Sequence, residues 1–352
     1  MNSKKSARGK YILIVAFVLM MGTVIFSSAI APASAQEPIK WKLQSLWSAG
    51  ETPYKLLDEF CGKVKKATNG ILEITPYPAG AIVPTFETID ALKNNILQVI
   101  NVWPGYFVGK EAAFAPLTDF LFAYEQPWEY EAFFLYRGGL DLMNELYAPY
   151  NGVCIGVVLW GRESMFLKFP AYKMEDFKGH KIRSPQGMTA DMLKHLGAGV
   201  VVLPGEEAYS ALDKGVVDGS DWSTVSVNHR MGFSRVAKYY IYPEYRSMPM
   251  SDFTINKKEW EKVPADIKQI LISMIRELNA HQLAMLQIED LKAIKEMEGM
   301  GCKPLIWEPN EIQRLREFVR NNVWEEWSKK SPMAKKVIDA QIDWLKEIKR
   351  IK

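Results

Sequence analysis

The feature that most restricts the fold is the order of hydrophobic periods between residues 39 and 103. Ile39, Trp41 and Leu43 alternate with Lys40, Lys42 and Gln44, the period-two pattern of a half-buried strand. Thr52-Pro53 then opens a helix with Leu56, Leu57, Phe60, Cys61 and Val64 on one face, and Asn69-Gly70 stops it. Residues 71–77 read as a second strand, 85–94 as a second helix and 98–103 as a third strand. A β-α-β-α-β order needs crossover connections, so it predicts parallel pairing and an α/β lobe.

A similar unit recurs. Residues 91–97 lead into a strand ending at Trp103, and residues 211–217 lead into a segment ending at Trp222, with Pro78-Ala79-Gly80 and Pro204-Gly205 upstream of each. This echo predicts two α/β lobes. The first takes residues 36–160 and about 250–310, and the second takes 161–249. The run 153–160 crosses over and 239–250 crosses back. The rest is helical: 257–298 as one or two long helices, then 311–327 and 334–351. Val337, Ile338, Ile342, Trp344, Leu345 and Ile348 form a wide apolar stripe on the last helix. Residues 311–352 are therefore C-terminal helices and a candidate dimerisation element, since such a stripe must dock on its own core or on another subunit.

The N-terminus carries Lys4, Lys5, Arg8 and Lys10, an apolar run over 11–30, and Ala33-Ser34-Ala35. That layout predicts a secretory signal over 1–35, cleaved after Ala35, and export to the periplasm. The alternative is an uncleaved anchor, because about 20 apolar residues can span a bilayer. Loss of those four basic residues takes the formal charge from +3 to −1. With no basic stripe and no arginines interleaved with aromatics, nucleic acid is not an expected partner. Cys61, Cys154 and Cys302 are far apart and show no metal-ligand spacing, and the first two sit in apolar patterns that predict buried thiols.

Catalytic signatures are lacking. His180, His195, His229 and His281 belong to no triad or zinc motif, and there is no Gly-x-Ser-x-Gly, His-Glu-x-x-His or phosphate loop. Glu206-Glu207 follows Pro204-Gly205 at a helix start, where acids suit the dipole. An enzyme is not expected. Binding chemistry is better represented. Ile182-Arg183 and Trp160-Gly161-Arg162 each close a strand, so Arg183 and Arg162 are candidates to converge on one anion; a guanidinium grips a carboxylate through two parallel hydrogen bonds. In open parallel sheets ligands bind beyond the carboxyl ends of strands, where Trp103, Arg183 and Trp222 fall. Trp222, Trp103, Tyr106 and Trp47 are candidates to pack a ligand's carbon skeleton, with Asp221 beside them.

At Asp176-x-Lys178-Gly179-x-Lys181-x-Arg183, and again at Asp218-Gly219-x-Asp221-Trp222, the chain resembles the solute-binding proteins of tripartite ATP-independent periplasmic (TRAP) transporters. Similar stretches at 60–80, 105–114, 160–197, 203–222 and 253–267 sample nearly the whole chain after the signal. The resemblance implies a two-lobed periplasmic-binding-protein fold that closes on a small organic acid and passes it to a membrane permease driven by an ion gradient. It implies Arg183 as the carboxylate clamp, with Arg162 matching a second arginine of many members. The 105–110 run, the 139–147 helix and Gln341-x-x-Trp344 are closest to the α-keto-acid-binding subgroup, which implies a 2-oxo or hydroxy monocarboxylate and a tail used for swapped dimers. In that subgroup a metal ion bridges substrate and protein through a glutamine, an acid beside a tryptophan and sometimes a further glutamate. Asp221-Trp222 matches the acid–tryptophan pair, but Gly161-Arg162 and Arg246-Ser247 stand at the other places. No cofactor is therefore expected; if an ion were bound it would be calcium or sodium at Asp221 and Trp222. A secreted enzyme on the same scaffold and a ligand-presenting partner of a sensor are the alternative readings.

Overall fold

The computed structural model describes residues 37–351, so the expected signal segment lies outside the described residues. Two sheets organise the chain. Strands β1 (Ile39–Ser45), β2 (Leu72–Tyr77), β3 (Val99–Asn101) and β4 (Gly152–Leu159) belong to the first. Strands β5 (Met165–Leu167), β6 (Lys181–Ser184), β7 (Gly199–Val202), β8 (Gly219–Asp221) and β9 (Tyr239–Ile241) belong to the second. The chain then returns through β10 (Met250–Asn256) to the first sheet and through β11 (Lys303–Leu305) to the second. The orders are β2-β1-β3-β10-β4 and β11-β9-β5-β8-β6-β7. The pairs β1–β2, β1–β3, β6–β7 and β6–β8 are parallel, as the alternation of strands and helices requires.

Two adjacent strands carry the chain between sheets. β4 leads to β5 on the way out, β9 leads to β10 on the way back, and each crossing strand lies antiparallel to its partner in both sheets. β4 ends where its backbone leaves the ladder, and there the helix Ala265–Gly299 substitutes for a strand neighbour: Asn279 Oδ1 accepts from Leu159 N at 2.8 Å and Gln282 Nε2 donates to Leu159 O at 3.0 Å. Both side chains are buried, and without them the last peptide of β4 would lose its partners. The same helix packs Ile267, Leu271, Ile275 and Leu278 against the helix Thr52–Ala67 and the first sheet. Its far end reaches the second lobe, where Asp290 Oδ1 accepts from Ser226 N at 2.7 Å.

Three details refine the sequence reading. The helical run read as one or two helices is two, Lys257–Glu261 and Ala265–Gly299, divided at Pro264 because proline suits a helix start and not its interior. Residues 303–305, expected in the first lobe, form β11 beside β9 in the second sheet, so the chain crosses a third time. The C-terminal stripe, offered as a dimerisation element, lies on its own chain. In the helix Pro332–Glu347, Trp344 Nε1 donates to Glu129 O at 2.8 Å, and Gln341 joins Pro116 O and Tyr124 Oη. The preceding helical run, 309–328, touches both lobes. Its first part meets the second lobe through the Arg314–Glu175 ion pair and the Phe318–His195 contact. Its second part meets the first lobe, where Trp324 stacks on Phe120 at 4.1 Å and donates to Leu121 O at 3.0 Å. Cys61, Cys154 and Cys302 are buried free thiols, and burial pushes the Cys154 pKa up to about 12.

Removing a large buried aromatic that also satisfies a carbonyl costs about 3–5 kcal/mol. Trp324→Ala is expected to lose that much in urea denaturation followed by circular dichroism. A loss below about 1 kcal/mol would show that the C-terminal helices contribute little to the fold.

Candidate functional site

Between the two sheets lies a narrow cavity whose walls include Leu46, Trp103 and Tyr106 from the first lobe and Arg183, Asp221 and Trp222 from the second. Each of these six follows or ends a parallel strand: β1, β3, β6 or β8. Strand direction therefore delivers them to the same place. Trp103 is pressed against Gly105, where a Cβ would stand 2.1 Å from its ring, and Trp222 against Gly205, where a Cβ would stand 1.8 Å away. The same device, a glycine under an indole, shapes one wall in each lobe.

Arg183 is fully buried. Its Nε and Nη2 donate to Leu203 O at 2.9 and 2.6 Å, and Nη1 donates to Asp221 O. A guanidinium has five N–H donors, so two remain. The cation also lies 5.4 Å from the Trp222 ring centroid. Among the described residues no carboxylate pairs with it. A buried positive charge held only by carbonyl dipoles lacks its counter-ion, and the free donors border a cavity. Trp103 Nε1, also buried and without a protein partner, is a further donor at the cavity wall.

The other candidates separate. Trp103, Tyr106, Asp221 and Trp222 line the cavity with Arg183. Trp47 stands behind it, edge-on to Trp160 at 5.0 Å and to Trp222 at 5.7 Å. Arg162 is displaced from its expected position beside Arg183. A left-handed turn at Gly161, φ +94°, precedes it, and its guanidinium donates to Glu244 O at 2.8 Å and Glu125 O at 2.6 Å, in a separate groove. It fastens the two crossings to each other and does not face the ligand space.

The arginine that balances the buried acids beside the cavity is Arg246. It is 7% exposed, bonds Asp221 Oδ1 and Thr189 Oγ1, the latter at 2.8 Å, and lies 3.8 Å from Glu163 Oε2. Ser247 Oγ lies 2.8 Å from Asp119 Oδ1 and 3.2 Å from Glu163 Oε2, and Trp160 Nε1 donates to Glu163 Oε1 at 3.2 Å. Burial raises the Asp119 pKa to about 6 against the pull of Arg246 and Ser247. Burial, with Asp221 and Asp119 adding to it, pushes Glu163 well above the carboxylate range. Asp119, Glu163, Thr189 and Trp160 were not among the sequence candidates. They come from loops, crossings and a helix start, where no periodicity marks them.

A cation site of the kind implied by the subgroup does not fit these donors. The Asp221 carboxylate already binds the Arg246 guanidinium, and among the described residues no three His, Cys, Asp or Glu side chains are arranged to hold a metal ion.

Polar contacts also cross the cleft. Trp222 Nε1 donates to Glu51 Oε1 at 3.1 Å, and Thr85 Oγ1 donates to Glu206 Oε1 at 2.5 Å. Glu206, expected only to favour a helix start, thus links the lobes. Burial raises the Glu51 pKa to about 7, against hydrogen bonds from Ser48 and Trp222.

Breaking a buried ion pair from one side costs about 3–5 kcal/mol. Arg246→Met is expected to lose that much stability at pH 8 by urea unfolding. The loss should shrink toward pH 5, where the stranded acids take up protons; an equal loss at both values would show that the missing charge is not its cause.

Comparison with known proteins follows the same lines. The bacterial extracellular solute-binding protein family 7 matches residues 43–330. A TRAP periplasmic solute-binding protein of Rhodobacter sphaeroides, solved in an apo open state, is 33% identical with a TM-score of 0.70, over 88% of this chain and 98% of that one. A TRAP solute-binding protein of Bordetella bronchiseptica, a dimer with calcium and picolinate in its occupied site, is 25% identical with a TM-score of 0.78, over 88% and 92%. The monocarboxylate 2-oxoacid-binding periplasmic protein of Nostoc is 26% identical over 312 residues, 88% of this chain and 85% of its own length. The chain therefore belongs to family 7 of the bacterial extracellular solute-binding proteins, the solute-binding proteins of TRAP transporters.

Proposed function

We propose that the protein captures a small organic acid, a 2-oxo or hydroxy monocarboxylate, and delivers it to the membrane permease of a TRAP transporter. The observation that carries this reading is Arg183: a fully buried guanidinium with two free donors, no acidic partner among the described residues, and a cavity in front of it. A ligand carboxylate would take both donors in a bidentate pair. Trp103, Tyr106 and Trp222 would cover its carbon skeleton. The 2-oxo acids of the Nostoc relative fall in this class, and the picolinate of the Bordetella relative shares its single carboxylate. Export to the periplasm belongs to the same proposal. Pairing of two chains rests on the dimeric Bordetella relative alone, since the C-terminal stripe is covered within the chain.

Binding would proceed by hinge closure about the crossings. The ligand reaches Arg183 on one lobe and aromatic walls on both, so it has more contacts when the lobes meet, and this differential affinity favours closure. Glu51 modulates the step. Its pKa is raised to about 7 where it meets Trp222, and opening returns it toward the usual carboxylate range. The closed form thus holds the proton more tightly. Its advantage is complete at low pH and is lost as pH rises through about 7.

Arg183→Ala is expected to weaken carboxylate binding at least tenfold, about 1.4 kcal/mol, in isothermal titration calorimetry, with the circular dichroism spectrum unchanged. Unaltered affinity would remove the clamp. Ligand affinity of the unmodified protein should fall between pH 6 and pH 8, and Glu51→Gln should flatten that profile. A flat profile before substitution would separate Glu51 from closure.

A further inference from the structure

The indole of Trp222 is carried by the element that follows it. Its neighbour Ser223 is bonded at both backbone atoms to the fully buried Asn228, whose Oδ1 accepts from Ser223 N at 3.1 Å and whose Nδ2 donates to Ser223 O at 2.9 Å. The same amide donates to Ser164 O, on the crossing out of the first lobe, at 2.9 Å. Asn228 stands on the helix Val225–Arg230, so the seat of that helix decides the seat of Trp222. Two adjacent acids of the long helix Ala265–Gly299 hold its ends. Asp290 Oδ1 accepts from Ser226 N at 2.7 Å near the start, and Glu289 Oε1 accepts from Arg230 Nη2 at 2.9 Å at the end. The other oxygen of Glu289, Oε2, accepts from Thr52 Oγ1 of the first lobe at 2.7 Å. Thr52 directly follows Glu51, which receives the Trp222 indole N–H. One carboxylate therefore fixes both sides of the Glu51–Trp222 contact without itself lining the cavity.

We propose that Glu289 is a positioning residue for ligand capture: it holds Trp222 in register with Glu51, and so sets the wall that covers a carboxylate on Arg183. This rests on the carboxylate reading of Arg183. Hydrogen bonds to a charged group are stronger than neutral ones, and the Glu289 side chain, 12% exposed, is largely shielded from competing water. Its two oxygens are fixed relative to each other, so Thr52 and Arg230 cannot separate without breaking one bond. Without Glu289 the helix is tied by Asp290 at its start and released at its end, and Thr52 loses its acceptor. The indole and Glu51 then shift against each other, and a wall group that is out of place costs affinity even though no ligand contact has been removed.

The test is isothermal titration calorimetry of pyruvate, lactate and 2-oxoisocaproate on the protein stripped of ligand by unfolding and refolding. For the acids that the unmodified protein binds, Glu289→Ala is expected to weaken affinity about tenfold. Thr52→Val, which removes only the first-lobe bond, should weaken it in the same direction and serves if the first variant does not fold. Glu289→Gln, whose amide oxygen still accepts one of the two bonds, should recover part of the loss. Fluorine NMR of the fluorotryptophan-labelled protein supplies a readout that a merely structural role would not move. The Trp222 resonance, assigned by its absence in Trp222→Phe, should shift in ligand-free Glu289→Ala and Thr52→Val. Affinity unchanged in both variants, or weakened with the Trp222 resonance unmoved, overturns the proposal. Arg183→Ala, titrated in parallel, separates this role from the reading beneath it. If it loses binding while the Glu289 and Thr52 variants retain it, the positioning role alone falls. If it binds as the unmodified protein does, or if none of the three acids binds, the carboxylate reading of Arg183 falls and this inference falls with it.

Discussion

A guanidinium that is fully buried and held by carbonyl oxygens alone is the constraint around which this molecule is arranged. Placing Arg183 out of water without an acid would be strongly unfavourable if its environment were apolar. The fold answers with two carbonyl oxygens, Leu203 O and Asp221 O, from the loop after β7 and from the end of β8. Both strands flank β6 as parallel neighbours. Parallel pairing is what aligns their carboxyl ends, so the strand order of the second lobe is itself part of the candidate site. An antiparallel neighbour on either side would present the wrong end of a strand to the guanidinium.

The contrast with Arg246 shows how the chain uses two arginines differently. Arg246 is buried to nearly the same degree but sits among Asp221, Glu163 and, through Ser247 and Thr189, Asp119. Its charge is answered within the protein. That leaves Arg183 as the cation of the cavity that lacks an internal counter-ion. Had Asp221 turned its carboxylate toward Arg183, the clamp would have been neutralised by its own protein. Arg246 draws that carboxylate away, while the backbone oxygen of the same residue supports Arg183.

The parts of this design governed by periodicity were legible in the sequence. Alternating apolar positions at 39–43 and the apolar face at 56–64 follow from burial of one side of an element, and the structure forms β1 and the helix Thr52–Ala67 there. The places of Arg183, Trp103 and Trp222 on the cavity wall were legible because strand ends can be located from strands. Arg162 shows where this reasoning stops. It too follows a strand, but Gly161 takes a positive φ, and one residue of left-handed backbone separates a cavity wall from a hinge. Arg246, Asp119 and Glu163 lie in segments without a repeat, and their role arises from contacts between residues up to 128 positions apart. Neither residue type nor spacing carries that information. The C-terminal stripe was visible as apolar surface, but an amphipathic pattern states only that a face is covered, not by which chain.

The contacts that join the lobes are chosen so that closure without ligand is a poor state. Glu51 and Glu206 supply the polar bonds across the cleft, to Trp222 and Thr85. Both bring carboxylates out of water: Glu51 is held far above its usual pKa by burial, and the second oxygen of Glu206 has no protein partner. Closing an empty cleft therefore buries negative charge on one side and leaves Arg183 without an anion on the other. On the proposed reading a bound carboxylate would supply that missing anion and fill the space between the indoles. In that reading only the occupied closed state would satisfy Arg183 while keeping the cross-cleft bonds, the differential interaction that a ligand needs to shift the population of lobe arrangements. The long helix Ala265–Gly299 and the 309–328 run each touch both lobes and so brace the arrangement in which the ends of β3, β6 and β8 come together.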